Sequence, residues 1–536
     1  MRSDCQDPQM SKPDSCRLAS LFLVLLAMAC SGIAARAQSP DAVPSHTFFR
    51  VTLDKSFPGS TSGRLLLFIG PAPGDASAVD INMMSPASVY VAAKEISTLA
   101  PGESVDLDAD DVVFPGPVSK APAGNYRVQA VLDIHHSYNY DGRAAGDLVS
   151  VPVSISIPFG SSSTPSLTLA QVVPDPPDPL ADRQDVNAAL KPLDFVSPVL
   201  TQFWGREIHM RAWVLLPPHY SDHPNARYPT VYFTHGFGGT LTGLRARYAP
   251  VLYDRMKQGK MPEMIWVLLD ESSPTGTHEF ADSVNNGPWG TALTTELIPM
   301  IERTYRMDAR TSGRFLQGHS SGGWSTLWLQ TTYPKIFGGT WSTSPDPSDF
   351  HFFSTIDLYA PHANFYFAAD GTLTPILRDH GHPLSNMQQL AGLETVLGPY
   401  GGQLASFEWV FSPRGPDGRP MPLFNRTTGE IDPAVAAYWR SHYDIVEHLK
   451  TDWKLIGHDL QGKIHLVVGT DDTFYLDGAA HSLQATLDQL GGKAQFTFLP
   501  GRSHFNVYVD GDDRYALFDR IAAEMYAVAR PAGKGH

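Results

Sequence analysis

The chain has 536 residues, more than one typical domain of roughly 100–200 residues holds, so at least two folded units are expected. Its 42% hydrophobic and 18% charged residues argue against a disordered chain. With 40 Lys+Arg against 55 Asp+Glu the formal net charge is −15, which argues against broad nucleic-acid or anionic-membrane binding while leaving room for a local basic patch.

Arg17 precedes an apolar run, Leu18 to Ala29, broken only by Ser20, and small residues follow to Ala35-Arg36-Ala37. A basic flank, an apolar core and an A-x-A site predict a signal peptide over residues 1–37, with Met10 an alternative start. The run is shorter than the about 20 residues a bilayer span needs. Cys30 follows Leu26-Ala27-Met28-Ala29, with Leu one place too early for a lipoprotein signal. Cys5, Cys16 and Cys30 all precede the expected cut, so the mature chain would hold no disulfide, no thiol nucleophile and no Cys metal site. An exported protein, periplasmic or secreted, is expected, with no membrane span in the mature chain.

Residues 46–160 read as short strands. Phe48–Leu53 and Arg64–Ile69 are apolar or β-branched, and Tyr126–Asp133 and Val149–Ile157 alternate with a period of two. No long helical pattern interrupts them, which predicts a small all-β domain, an Ig-like sandwich. Gly59-Ser60-Thr61-Ser62-Gly63 reads as a loop within it. Residues 161–194, with Pro174-Asp175-Pro176-Pro177-Asp178-Pro179, have linker composition.

From 195 to 532 strands alternate with helices. Ile208–Leu216, Tyr228–Thr234, Met264–Leu269, Arg314–Gln317, Lys463–Val468 and Ala494–Leu499 read as strands. Thr294–Arg306, Gly322–Thr332 and Leu517–Ala529 read as helices. Such alternation predicts a doubly wound, mostly parallel α/β sheet.

Gly318-His319-Ser320-Ser321-Gly322 lies between a predicted strand and a predicted helix, the G-x-S-x-G nucleophile elbow. Glycines two before and two after the serine avoid collision with the neighbouring backbone. A serine hydroxyl needs a base and an orienting acid, and on such a sheet they follow in the order Ser, Asp/Glu, His. Among late histidines, His481 reads as a helix surface and His536 is the terminus, whereas His504 follows the last predicted strand. The acid should follow the preceding strand, in Gly469-Thr470-Asp471-Asp472, where Asp472 is taken and Asp471 is the alternative. The oxyanion donors are assigned to the backbone N–H of Ser321 and of Phe237, with Gly238 as fallback, in His235-Gly236-Phe237-Gly238-Gly239.

The stretch from Tyr228 to Pro345 resembles the "Putative esterase" family of α/β-hydrolases, which takes in S-formylglutathione hydrolases, enterochelin esterases, feruloyl esterase modules and mycolyltransferases. The matching pieces are YPTVYFTHGFGG (228–239), NGPWGTALTTELIP (286–299), GRFLQGHSSGGWSTLWL (313–329) and YPKIFGGTWSTSP (333–345), with looser matches at GTDD (469–472) and GRSHF (501–505). The resemblance implies an α/β-hydrolase fold and a serine esterase working through an acyl-enzyme, with His235, Gly236, Trp289 and His319 near the substrate and no cofactor. Trp289 and Trp324 could equally be core packing. The β-rich N-domain is similar in architecture to the one preceding enterochelin-type esterase domains.

Residues 346–462 exceed what compact members carry between the same two strands. They are expected to form a cap, or else a peripheral insertion, rich in aromatics such as Trp409, Trp439 and Trp453. His351, His362, His380 and His382 within it match no metal spacing. Expected substrates are small-molecule aryl or carbohydrate esters, or less readily siderophore-type esters. The alternatives are acyl transfer to a non-water alcohol, or a non-catalytic binding protein on a hydrolase fold.

Overall fold

The computed structural model describes residues 46–72, 78–135, 140, 142–158, 164–398 and 400–531. The expected signal peptide and all three cysteines lie outside them. Among the described residues no helix is long and apolar enough to cross a membrane.

Nine strands make the first sheet: β1 (Phe48–Leu53), β2 (Thr61–Pro71), β3 (Tyr90–Leu99), β4 (Ser104–Asp108), β5 (Val113–Phe114), β6 (Gly124–Asp133), β7 (Leu148–Ser150), β8 (Val153–Ile157) and β9 (Ser166–Val172). The order is β4-β1-β9-β7-β6-β2-β3-β5, with β8 also on β6. This is one hydrogen-bonded sheet, not the two of the expected sandwich. Its pairs are antiparallel except β1 with β9. β2 explains the arrangement. Leu65, Leu67 and Ile69 enter one apolar cluster with Phe49, Val51 and Leu107, while Leu66 and Phe68 enter a second one. An uninterrupted apolar strand is one buried on both faces. The second face is covered by a helix from far downstream, Met387–Leu397, which contributes Leu393, Val396 and Leu397. The helix starts in a capping box between Asn386 and Gln389. Arg64 Nε on β2 donates to its Val396 carbonyl at 3.0 Å.

The stretch read as linker is largely structured. β9 belongs to the first sheet, where Leu167 and Leu169 are buried. Leu180 and Val186 already sit in the core of the second sheet.

That second sheet has eight strands: β10 (Leu190–Val196), β11 (His209–Leu215), β12 (Thr230–Thr234), β13 (Ile265–Leu269), β14 (Arg314–His319), β15 (Gly339–Thr343), β16 (Ile464–Gly469) and β17 (Ala494–Leu499). The order is β10-β11-β13-β12-β14-β15-β16-β17. Pairs from β13 onward are parallel, and β11 is antiparallel to both neighbours. The central strands are buried on both faces, β12 and β13 as apolar runs and β15 with the sequence Gly339-Thr340-Trp341-Ser342-Thr343. Cores form on either side, one around Phe233, Trp266 and Phe518, the other around Tyr232, Ile265 and Leu316. This is the α/β-hydrolase arrangement expected above, and its ligand crevice lies beyond the carboxyl ends of the strands.

The 346–462 insertion does not stand alone. Phe350, Phe353, Phe407, Phe411 and Trp439 share one core with Trp324 and Leu327 of the helix Ser321–Thr332. Its hairpin Pro375–Asp379/His382–Asn386 reaches the loop after β16, where Arg378 Nε donates to the Asp472 carbonyl at 2.8 Å.

Candidate active site

β14 ends at His319 and the helix Ser321–Thr332 starts two residues later, so one residue makes the whole turn. That residue is Ser320, at φ 60° and ψ −126°. A non-glycine residue there is strained, and such strain gathers at functional sites. The glycines are dictated by contact. A Cβ on Gly318 would overlap the Gly322 carbonyl, and one on Gly322 would lie 2.5 Å from the His235 carbonyl oxygen. A Cβ on Gly236 would lie 3.0 Å from that of Ser320, so the loop after β12 packs directly against the serine.

His504 and Asp472, on the loops after β17 and β16, lie in contact. His504 Nδ1 donates to Asp472 Oδ2 at 2.9 Å, and both side chains are buried. The bond fixes the tautomer and leaves Nε2 free of a partner among the described residues. Asp472 Oδ1 accepts the Phe474 N–H at 3.0 Å. Burial pushes the Asp472 carboxyl up, but the imidazole and these hydrogen bonds more than offset it, and the acid lies below its ordinary value. Asp471 is turned elsewhere: its Oδ1 accepts from Gly381 N–H at 3.0 Å and faces Arg378. His481 is on the exposed face of the helix Asp477–Gln489 and stacks on Phe498.

The His504 ring lies over His319, with centroids 4.5 Å apart. Burial first, and His504 second, hold the His319 imidazole down to about 3, so it is neutral. Its Nδ1 lies 3.2 Å from Thr343 Oγ1, which also meets Tyr508 and the Gly318 carbonyl. Among the described residues no hydrogen bond joins Ser320 Oγ to His504; such bonds are often long before substrate binds. Phe474 and Phe505 stand edge-on to the His504 ring at 4.8 and 5.3 Å, and Phe505 is 67% exposed.

Ser321 opens the helix, where the first N–H groups have no intrahelical acceptor and the dipole favours an anion. On the other side, the turn His235–Gly239 is closed by the Gly239 N–H to Gly236 carbonyl bond, and Gly238 has φ 74°. The His235 side chain faces inward: Nδ1 lies 2.8 Å from the Gly236 carbonyl, and Nε2 accepts the Glu271 N–H at 3.2 Å. Trp289 lies in the core, stacked flat on His278 at 3.7 Å, and Trp324 packs on Trp328. Among the described residues no group of His, Cys, Asp and Glu gathers as a metal site would require.

A set of residues that the sequence did not single out lies beneath the elbow. Glu271, Glu279 and Asp346 are buried there. Ser321 Oγ donates to Asp346 Oδ2 at 2.6 Å, and Ser325 Oγ meets Glu271 Oε2 at 2.9 Å and Glu279 Oε2 at 2.7 Å. Ser321 and Ser325, one helical turn apart, are the only trace in the sequence, since the glutamates lie in a stretch, Asp270–Phe280, with the composition of a surface loop.

Comparison with known proteins follows the same lines. A family model described as "Putative esterase" matches residues 205–521. A search of the curated proteins finds no match. Similar solved structures include a ferulic acid esterase at 15% identity, covering 64% of this chain and 97% of that one with a TM-score of 0.38. FphF, a fluorophosphonate-binding serine hydrolase of Staphylococcus aureus, is similar at 12% identity over 64% and 98% of the chains, TM-score 0.38. An S-formylglutathione hydrolase from Agrobacterium tumefaciens is similar at 13% identity over 63% and 94%, TM-score 0.37. With more than half of its length matched by the family model, the chain belongs to the "Putative esterase" family and is a carboxylic ester hydrolase.

Proposed function

We propose that the protein is an exported serine esterase in which Ser320 is the nucleophile, His504 the general base and Asp472 the orienting acid. The observation that carries this assignment is the buried Asp472–His504 hydrogen bond on the loops beside a strained Ser320. Ser320 Oγ attacks the ester carbonyl carbon while its proton passes to His504 Nε2. Asp472 holds the other nitrogen protonated and stabilises the imidazolium. The oxyanion accepts hydrogen bonds from the N–H groups of Ser321 and Phe237, each worth about 100–1000-fold in rate. The carbon–oxygen bond to the alcohol then breaks, and His504 returns the proton to the leaving oxygen. Water, deprotonated by His504, attacks the acyl carbon; the bond to Ser320 Oγ breaks, His504 returns the proton to that oxygen, and the acid leaves.

Phe474 and Phe505 beside the base favour an aryl or other flat ester group stacked against them. The segment Arg17–Ala37 supports export, to the periplasm or beyond. Hydrolysis of nitrophenyl esters of graded acyl length, and of feruloyl and acetyl sugars, tests the nucleophile and the acyl preference. Ser320→Ala should abolish turnover with the melting curve nearly unchanged. Turnover that survives the substitution contradicts the assignment, and turnover raised by added alcohol with a new ester formed points to acyl transfer.

A further inference from the structure

Ser325 carries more hydrogen-bond demand than a hydroxyl can meet. Its Oγ lies 2.9 Å from Glu271 Oε2, 2.7 Å from Glu279 Oε2 and 3.0 Å from the Ser321 carbonyl oxygen. A hydroxyl has one hydrogen to give and two lone pairs to accept with. With both glutamates ionised, three acceptors face that single hydrogen in a fully buried site. The second oxygens, Glu271 Oε1 and Glu279 Oε1, are buried without a hydrogen-bond partner among the described residues, and His235 Nδ1 lies 4.0 Å from Glu271 Oε1. The contacts close only when at least one carboxyl keeps its proton and donates to Ser325 Oγ.

Position gives this pair its consequence. Glu271 touches both halves of the oxyanion site: its backbone N–H bonds His235 Nε2 in the turn that carries Phe237, and its carboxyl bonds Ser325 one turn along the helix from Ser321. The backbone is strained to bury the other member, since Glu279 and Phe280 both have positive φ, 53° and 45°. Strain of this kind persists only where the surroundings over-determine it.

We propose that Glu271 and Glu279 are positioning residues that share a proton through Ser325, and that this neutral-plus-anionic pair ties the Ser321 amide to the Phe237 turn and keeps a second negative charge away from the oxyanion. The inference rests on the Ser320 mechanism above. Burial pushes both acids up, Glu271 to about 7 and Glu279 well above its ordinary value. The groups that face the pair are His235 after β12, Asp270 at the end of β13, His278 beside Glu279, and Asp346 after β15. Loss of the shared proton sets two anions against each other behind the oxyanion donors, so kcat should fall on the alkaline side while KM hardly moves.

The test is kcat and KM of the full chain on a nitrophenyl ester from about pH 6 to about pH 10, for the wild type, Glu279→Gln, Glu271→Gln and Ser325→Ala. The wild type should show an alkaline decline in kcat with KM within about twofold. Either glutamine variant removes the doubly ionised state, so its decline should vanish or move up by about one pH unit or more. Ser325→Ala should lower kcat about tenfold throughout, a fraction of what losing an oxyanion donor outright costs. A glutamine variant that keeps the wild-type decline, or Ser325→Ala with wild-type kcat, overturns the proposal. If the variants do not fold, the wild type decides alone by infrared titration. The carbonyl band of a protonated carboxyl should be present at neutral pH and vanish over the interval in which kcat falls. A decline in kcat without that loss overturns the proposal. Ser320→Ala runs beside these: if it keeps turnover, the nucleophile assignment fails, while the infrared result still answers for the pair.

Discussion

Both faces of the hydrolase sheet are covered by helices of the same domain, the closing helix Ala516–Ala529 among them, whereas the second face of the first sheet is covered by Met387–Leu397, a helix of the insertion. The first region carries Ser320, Asp472 and His504 at the carboxyl ends of its strands and shares a core with the insertion through the helix Ser321–Thr332. The second contributes none of those groups and borrows part of its core. Chemistry and stability should therefore separate when each is perturbed.

The largest effect is expected in the chemistry. Asp472→Asn keeps the shape of the acid but presents the wrong tautomer to His504, and should lower kcat on the order of ten-thousandfold. Asp471→Asn, facing Arg378 and Gly381 instead, should cost far less. The reverse ranking would move the acid. Neither should shift unfolding as much as the next variant.

Leu393→Ala removes a fully buried side chain shared by the insertion helix and the first sheet. It should destabilise by about 2–5 kcal/mol in denaturant unfolding, with kcat on a nitrophenyl ester little changed. A large fall in kcat with stability intact would show that the first sheet acts on the site and not only on the fold.

The smallest effect concerns the insertion's own anchoring. Asp444 caps the helix Ile445–Leu460 and also accepts the Phe350 N–H and the Tyr359 hydroxyl, all in a buried setting. Burial pushes its acid up to about 6. A raised acid stabilises the fold fully below the unfolded value and loses that contribution as pH rises through the folded one. Relative to Asp444→Asn, the wild type should lose up to about 3 kcal/mol between about pH 4 and about pH 7. A difference that stays constant with pH would contradict the assignment.

Much of the hydrolase sheet was legible because its buried strands are short apolar runs that stop at functional residues. The elbow was legible because sterics leave little choice but glycine at 318 and 322. Chain order then restricted the base, and the hydrogen bond to His504 separates Asp472 from its neighbour. β9 was missed because Ser and Pro around it outweigh a clear alternation, Leu167 and Leu169 facing in and Ser166, Thr168 and Ala170 facing out. The single first sheet was missed because an apolar run such as Leu65–Ile69 says that both faces are covered but not by what. Glu271 and Glu279 were invisible for a stronger reason. Burying them depends on positive-φ backbone and on a serine from another element, and neither leaves a pattern in local composition.

The central claim is that Ser320 carries the acyl group, and the most direct measurement is to trap it. Rapid acid quench of the enzyme turning over a slowly deacylating aryl ester, followed by peptide mass analysis, should find one acyl group per chain on the peptide containing Ser320, and none in Ser320→Ala. An acyl group on a different residue, or turnover with no covalent species while Ser320→Ala remains active, would contradict the account.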